Sequence, residues 1–140
     1  MYNRLIAFDV GTKRIGIAQS DVLHITVTPV GTFSPTDVFE QIARMVKESP
    51  IGGFIVGWPL TPKGDEGKAT QMVQSFIDKL SKQHPSIPIH KVDERYTSNK
   101  AMQVMIEAGV KQKKRREKER VDQIAAALIL QDFLSHNAHS

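Results

Sequence analysis

Apolar residues in this chain change their spacing several times, and each change marks an element. Leu5 to Phe8 form an unbroken apolar stretch inside Arg4 to Val10, which predicts a buried strand. Gly11-Thr12-Lys13 predicts a tight turn into a second strand, Arg14 to Ser20. Asp21-Val22-Leu23 predicts the next turn, and the Thr- and Val-rich run His24 to Phe33 a third strand. Strands joined by turns this short are expected to pair antiparallel.

The spacing then becomes helical. Ser34-Pro35-Thr36-Asp37 is helix-start chemistry, and Val38, Ile42, Met45 and Val46 share one face until Pro50 and Gly52-Gly53 stop the helix. Gly53 to Gly57 predicts a fully buried strand, parallel to the first because a helix crosses between them. After a polar loop, Thr61 to Gly67, a second helix aligns Ala69, Met72, Val73, Phe76, Ile77 and Leu80. Ile87 to Glu94 predicts a fifth strand, and Ser98 caps a short helix that Gly109 ends. The last helix is expected from Glu119 to Leu134. The order β-β-β-α-β-α-β-α-α predicts an α/β fold: a five-stranded mixed sheet, three antiparallel strands then two parallel, flanked by helices. The carboxyl ends of the first, fourth and fifth strands then share one edge, a place where such sheets carry their sites.

That edge collects acids. Asp9 ends the first strand, Glu94 ends the fifth, and Asp122 opens the apolar run of the last helix, Val121 to Leu134. Carboxylates at the mouth of a core need a cationic partner, and a divalent metal is the usual partner of an oxygen-only set. Phosphodiester hydrolysis needs an activated water and a stabilised leaving oxyanion, which two ions roughly 4 Å apart supply. Each acid alone has a plainer reading. Asp9 before Val10-Gly11 is also turn chemistry, Asp122 also suits a helix dipole, and Glu94 could pair with Arg95 or Lys91. Asp93 competes with Glu94, and strand alternation lets only one of them face the site.

Composition narrows the class. The chain has 140 residues, a net charge of +4 and no cysteine. One soluble domain with a proper core is expected. Disulfides, zinc-thiolate sites and cysteine nucleophiles are excluded. The start, Met1-Tyr2-Asn3-Arg4, leads directly into a strand, so no signal peptide is expected, and no stretch approaches a transmembrane span. A cytoplasmic protein with no membrane partner is the expectation. The charge is concentrated: residues 111–120 hold seven cations and two anions, Lys113, Lys114, Arg115 and Arg116 among them. A charge run is often a solvated face, but this one leads into Asp122 and suits phosphate contact. Lys13, in the turn after Asp9, could meet a phosphate or stand in solvent. Arg95 could clamp a phosphate or orient a carboxylate. Trp58 could stack on a base, although a half-buried packing role is the plainer reading. Gly11 and Gly16 suit backbone geometry or close packing.

Four motifs in register resemble the YqgF family of Holliday-junction-resolvase-like proteins, proposed pre-16S ribosomal RNA nucleases. Asp9-Val10-Gly11-Thr12-Lys13-Arg14-Ile15-Gly16 is similar to its D-x-G-x-K-x-x-G opening, and Ile55 to Leu60 with Gly64 to its second segment. Asp93-Glu94-Arg95-Tyr96-Thr97-Ser98 is similar to its D-E-R signature, with Tyr96 where Leu is more usual. Val121 to Leu130 is similar to its closing D-x-x-A-A-x-x-I-L helix. Thr61-Pro62 depart from the Asn or Lys common after the second segment.

The resemblance implies a ribonuclease H-like nuclease domain, placed over residues 1–135; residues 136–140, with His136 and His139, are expected to be a disordered tail. It implies Asp9, Glu94 and Asp122 as catalytic acids holding Mg2+ or Mn2+. The implied partner is a ribosomal RNA precursor, matured at its 5′ end, or branched DNA, with ribosomal particles as a further partner and a monomer or weak homodimer as the acting form. Two other classes remain open at this stage. Asp9-Val10-Gly11-Thr12 also fits the first phosphate loop of actin-like and sugar-kinase ATP-binding proteins, but that class binds nucleotide between two such domains, and this chain has room for one. A non-catalytic RNA-binding assembly factor would need the basic block but not the three acids.

Overall fold

The structure is a computed structural model that describes residues 3–61, 63–94 and 118–137. The expected short helix at 98–109, Arg95 and the cations at 111–117 lie outside the described residues.

Five strands form one sheet: β1 (Arg4–Val10), β2 (Ile15–Ser20), β3 (Val27–Phe33), β4 (Ile51–Trp58) and β5 (Ile89–Asp93). Their spatial order is β3-β2-β1-β4-β5. β1 pairs antiparallel with β2, and β2 with β3; β1 with β4, and β4 with β5, are parallel. This is the mixed sheet that the sequence order predicts. The helices among the described residues are α1 (Val38–Glu48), α2 (Lys68–Gln83) and α3 (Lys118–Asn137).

Strand alternation divides the core into two layers. Ile6, Phe8, Ile15, Ile17, Phe54 and Val56 point to the face covered by Val38, Ile42 and Met45 of α1 and Val73, Phe76 and Leu80 of α2. Phe8 anchors this layer, with its ring centroid 5.7 Å from Phe54 and 5.2 Å from Phe76. Leu5, Ala7 and Ile55 point the other way, against Ile129 and Leu130 of α3. Each fully buried Phe or Ile contributes about 1.5–3 kcal/mol.

Several boundaries differ from expectation for local reasons. α1 ends at Glu48, before Pro50, and Gly52 and Gly53 lie inside β4. There the β1–β4 register slips between Arg4 and Leu5, so the glycines accommodate an irregular pairing. Asp37 makes no side-chain cap; Ser34 Oγ instead accepts from the Asp37 N–H at 3.1 Å. β3 begins at Val27, not His24. Asp21 Oδ1 accepts from the Ile25 and Thr26 N–H groups at 2.7 and 3.0 Å, and His24 takes a positive φ of 59°, which holds 21–26 as a loop. α3 extends past Leu134 to Asn137, taking in His136.

Candidate active site

Asp9 lies near the end of β1, on the α3 face of the sheet, since Leu5 and Ala7 face that way. Its neighbours across both ladders are glycines. On one side Asp9 pairs with Gly16 of β2. On the other, Phe8 pairs with Val56, which brings Gly57 of β4 alongside.

Each glycine admits one acid. A Cβ on Gly16 would collide with the backbone carbonyl of Asp122 and stand 3.0 Å from the Gln123 nitrogen, so α3 rests its backbone directly on β2. A Cβ on Gly57 would stand 2.6 Å from the Glu94 carboxyl and 2.7 Å from the Ile129 side chain. Glu94 follows β5, its N–H donating to the Trp58 carbonyl at 3.1 Å, and turns its carboxyl over Gly57. Small residues continue this close approach: Ala18 of β2 meets Ala126 and Ala127 of α3.

The acids interact strongly. Burial pushes Glu94 up to about 10, assisted by the Asp9 charge, a hydrogen bond with Asp9 and the Asp93 charge. Burial also raises Asp9 to about 6; the hydrogen bond from Glu94 works against this and the Asp122 charge with it. A protonated Glu94 therefore donates to an Asp9 carboxylate near neutral pH. Asp93 is exposed while Glu94 is partly buried on Asp9, so the alternation between them turns Glu94 to the site.

Asp122 lies more than one turn inside α3, past Lys118, so a helix-dipole role does not explain it. Its Oδ2 accepts from Arg14 Nε at 3.2 Å. Among the described residues no three acids or histidines converge as a ready metal cluster, and this ion pair, which holds Asp122 toward Arg14, is consistent with that. The donor chemistry nevertheless fits a hard divalent cation. It is oxygen-only, it is withdrawn from water, and burial raises two of its carboxyls, a cost that a bound cation would relieve.

Lys13 is exposed in the β1–β2 turn, which closes through the Gly11 N–H and the Arg14 carbonyl at 2.9 Å. Arg95, Lys113, Lys114, Arg115 and Arg116 lie outside the described residues. Trp58 is partly buried against the α1–α2 layer, and Lys91 Nζ sits 3.9 Å from its ring centroid. Its ring is thus already engaged. Arg14 and Gly57 are the site residues that sequence reasoning does not single out. The Arg14–Asp122 pair spans 108 residues, so no local pattern signals it.

The family profile described as "RuvX: Holliday junction resolvase" matches residues 3–136. The chain belongs to the RuvX (YqgF) family. It is therefore an enzyme of a resolvase-like nuclease family. A Salinibacter ruber protein named "Putative pre-16S rRNA nuclease" is 39% identical over 132 residues, 94% of this chain and 92% of that one. A Chlorobium chlorochromatii protein of the same name is 36% identical, covering 96% of each chain. Among solved structures, Fowlpox virus resolvase with Holliday junction DNA has a TM-score of 0.56 at 14% identity, covering 96% of this chain and 98% of that one. T. thermophilus RuvC in complex with a Holliday junction has a TM-score of 0.56 at 12% identity, covering 96% and 95%. At such identities the likeness shows the fold alone, and that fold is ribonuclease H-like. In this RuvX-family chain Asp9, Glu94 and Asp122 thus stand where the central strand, the last strand and the closing helix of that fold meet.

Proposed function

We propose that this chain is a divalent-metal-dependent endonuclease that cleaves structured RNA, with the 5′ region of a small-subunit ribosomal RNA precursor as its substrate. The observation that carries the reading is the proton-sharing pair of Asp9 and Glu94 at the strand ends, with the Asp122 charge in reach. Such a pair is unfavourable for an empty core and favourable for a cation. RNA is preferred as substrate because relatives that match nearly end to end, at 36–39% identity, carry that name. Branched DNA is the second reading, favoured by the family description. Ribosomal particles and a cytoplasmic location follow from the RNA reading; among the described residues no helix is long and apolar enough to cross a membrane.

Asp9, Glu94 and Asp122 would hold Mg2+ or Mn2+. When bound, the metal supplies the charge that activates water and stabilises the leaving oxyanion. The chain's own residues do the rest. Asp9 and Glu94 would release their shared proton to solvent on becoming ligands. The backbone around Gly16 and Gly57 fixes where the carboxyls stand. Lys13 at the turn, and Arg95 with the cations at 113–116, bind phosphates and hold the strand across that edge.

The test is cleavage of a 5′-extended small-subunit RNA precursor, and of a four-way DNA junction, with Mg2+ or Mn2+. Asp9→Asn is expected to lose more than about a hundredfold in rate, beyond the loss typical of an outer-shell metal partner. Junction cleavage without RNA cleavage moves the reading to resolution. Binding of RNA with no cleavage by either protein leaves an assembly factor.

A further inference from the structure

We propose that Arg14 is an exchange residue: it neutralises Asp122 until a divalent cation takes that carboxylate, and it then takes a phosphate of the nucleic acid. The inference rests on the metal-dependent reading above and goes beyond it by assigning Arg14 two successive partners.

The geometry suits exchange. Arg14 meets Asp122 through Nε alone, at 3.2 Å, a long distance for a charge-assisted bond. The two side chains keep 33% and 22% of their surface exposed, so the pair is part-buried but still reached by water. The main chain on both sides is fixed. The Arg14 carbonyl accepts from the Gly11 N–H, and Ile15 next to it is buried at 2% exposure. The Asp122 backbone rests on Gly16. Rearrangement is thus left to the two side chains.

The charge around Arg14 reverses when a cation arrives. Without one, Arg14 faces the negative charge of Asp122. The Asp122 charge is already felt at Asp9, so a cation between them draws on both carboxylates. That cation repels a guanidinium and removes its anionic partner. The nucleic acid brings a new anion to this edge, and a guanidinium binds phosphate in a planar fork that a lysine cannot copy. The alternative is a static strut, in which Arg14 holds Asp122 ready for metal and never lets go. The two predict opposite signs for metal affinity.

The experiment titrates Mn2+ into wild type, Arg14→Gln and Arg14→Lys without nucleic acid, reading bound metal by calorimetry. The same proteins then bind a labelled RNA hairpin in Ca2+ and in chelator. Exchange predicts that Arg14→Gln binds Mn2+ about two- to fivefold more tightly, the fold-change for removing a competing pair of up to about 1 kcal/mol. It predicts that Ca2+ tightens RNA binding by wild type and does so less for Arg14→Gln. Arg14→Lys keeps the competing charge, so its Mn2+ affinity stays near wild type while its RNA affinity in Ca2+ falls.

Unchanged or weaker Mn2+ binding by a folded Arg14→Gln makes Arg14 a strut and overturns the proposal. Tighter Mn2+ binding with RNA affinity unchanged in Ca2+ also overturns it, since the phosphate partner is then missing. If Arg14→Gln does not fold, Arg14→Lys decides by the same RNA comparison. If wild type binds no Mn2+, the metal-dependent reading fails first, and that result is distinct from the other two.

Discussion

A carboxyl pair sharing a proton away from water responds to pH in the opposite sense from a salt-bridged surface acid. Asp9 is raised to about 6 and Glu94 to about 10, both above the ordinary carboxyl range near 4. The folded form therefore holds protons that the unfolded chain gives up. Its advantage is complete below the ordinary carboxyl values and is lost as pH rises, through about 6 for Asp9 and toward about 10 for Glu94. Without divalent metal, the midpoint of thermal unfolding is expected to fall between about pH 5 and about pH 9. Asp9→Asn should flatten that fall, because Glu94 is then without the neighbouring charge that raises it. Mn2+ should stabilise wild type more at the upper end of the range, where its ligands are already deprotonated. A wild-type midpoint that rises with pH, or a fall that Asp9→Asn leaves unchanged, would count against the shared proton.

The element that assembles the site is α3, which lies across all five strands. It approaches closely because the residues beneath it are small: Gly16, Ala18 and Gly57 meet the Asp122 backbone, Ala126 and Ile129. Gly16→Ala has backbone as its obstacle, which cannot yield without moving the helix; a destabilisation of about 1–3 kcal/mol is expected from denaturant unfolding. Gly57→Ala presses on a carboxyl and on the tip of Ile129, both of which can shift. Its stability should fall less, while its Mn2+ affinity falls by about tenfold or more, as for other changes in residues that orient a ligand. Equal effects of the two changes on stability and metal binding would deny this division. The element order and strand directions are legible in the sequence because they depend on runs and turns of a few residues. The positions of Asp9 and Glu94 at strand ends are legible for the same reason. The expectation that Gly16 serves close packing is right in kind, although its partner, 106 positions away at Asp122, is not legible. Sequence favours Lys13 over Arg14 for the same reason: the ion pair is tertiary, and nothing near Arg14 in the chain encodes it.

At the scale of the whole molecule, substrate binding has to balance the acidic centre. The chain carries a net charge of +4, yet the proposed site gathers three acids at one edge. A nucleic acid backbone brought there without help meets like charge, and metal offsets only part of it. The proposed counterweight is the run at 111–120, seven cations against two anions, which directly precedes Val121-Asp122 in the sequence. Its position in the chain places the proposed phosphate-binding run next in sequence to Asp122, a proposed catalytic acid. Phosphate binding releases counterions, and each neutralised phosphate steepens the fall of affinity with salt by about 0.9 in logarithmic slope on duplex substrate. Replacing Lys113, Lys114, Arg115 and Arg116 with Gln should weaken binding to an RNA hairpin and to a DNA junction alike. The salt slope should flatten by about one for each phosphate that is no longer neutralised. Mn2+ binding without nucleic acid should stay near wild type, since these cations are not ligands. Fluorescence anisotropy across a salt series reads the slope directly. A slope equal to wild type would reduce the run to a solvated face and leave Lys13, Arg14 and Arg95 to carry the backbone.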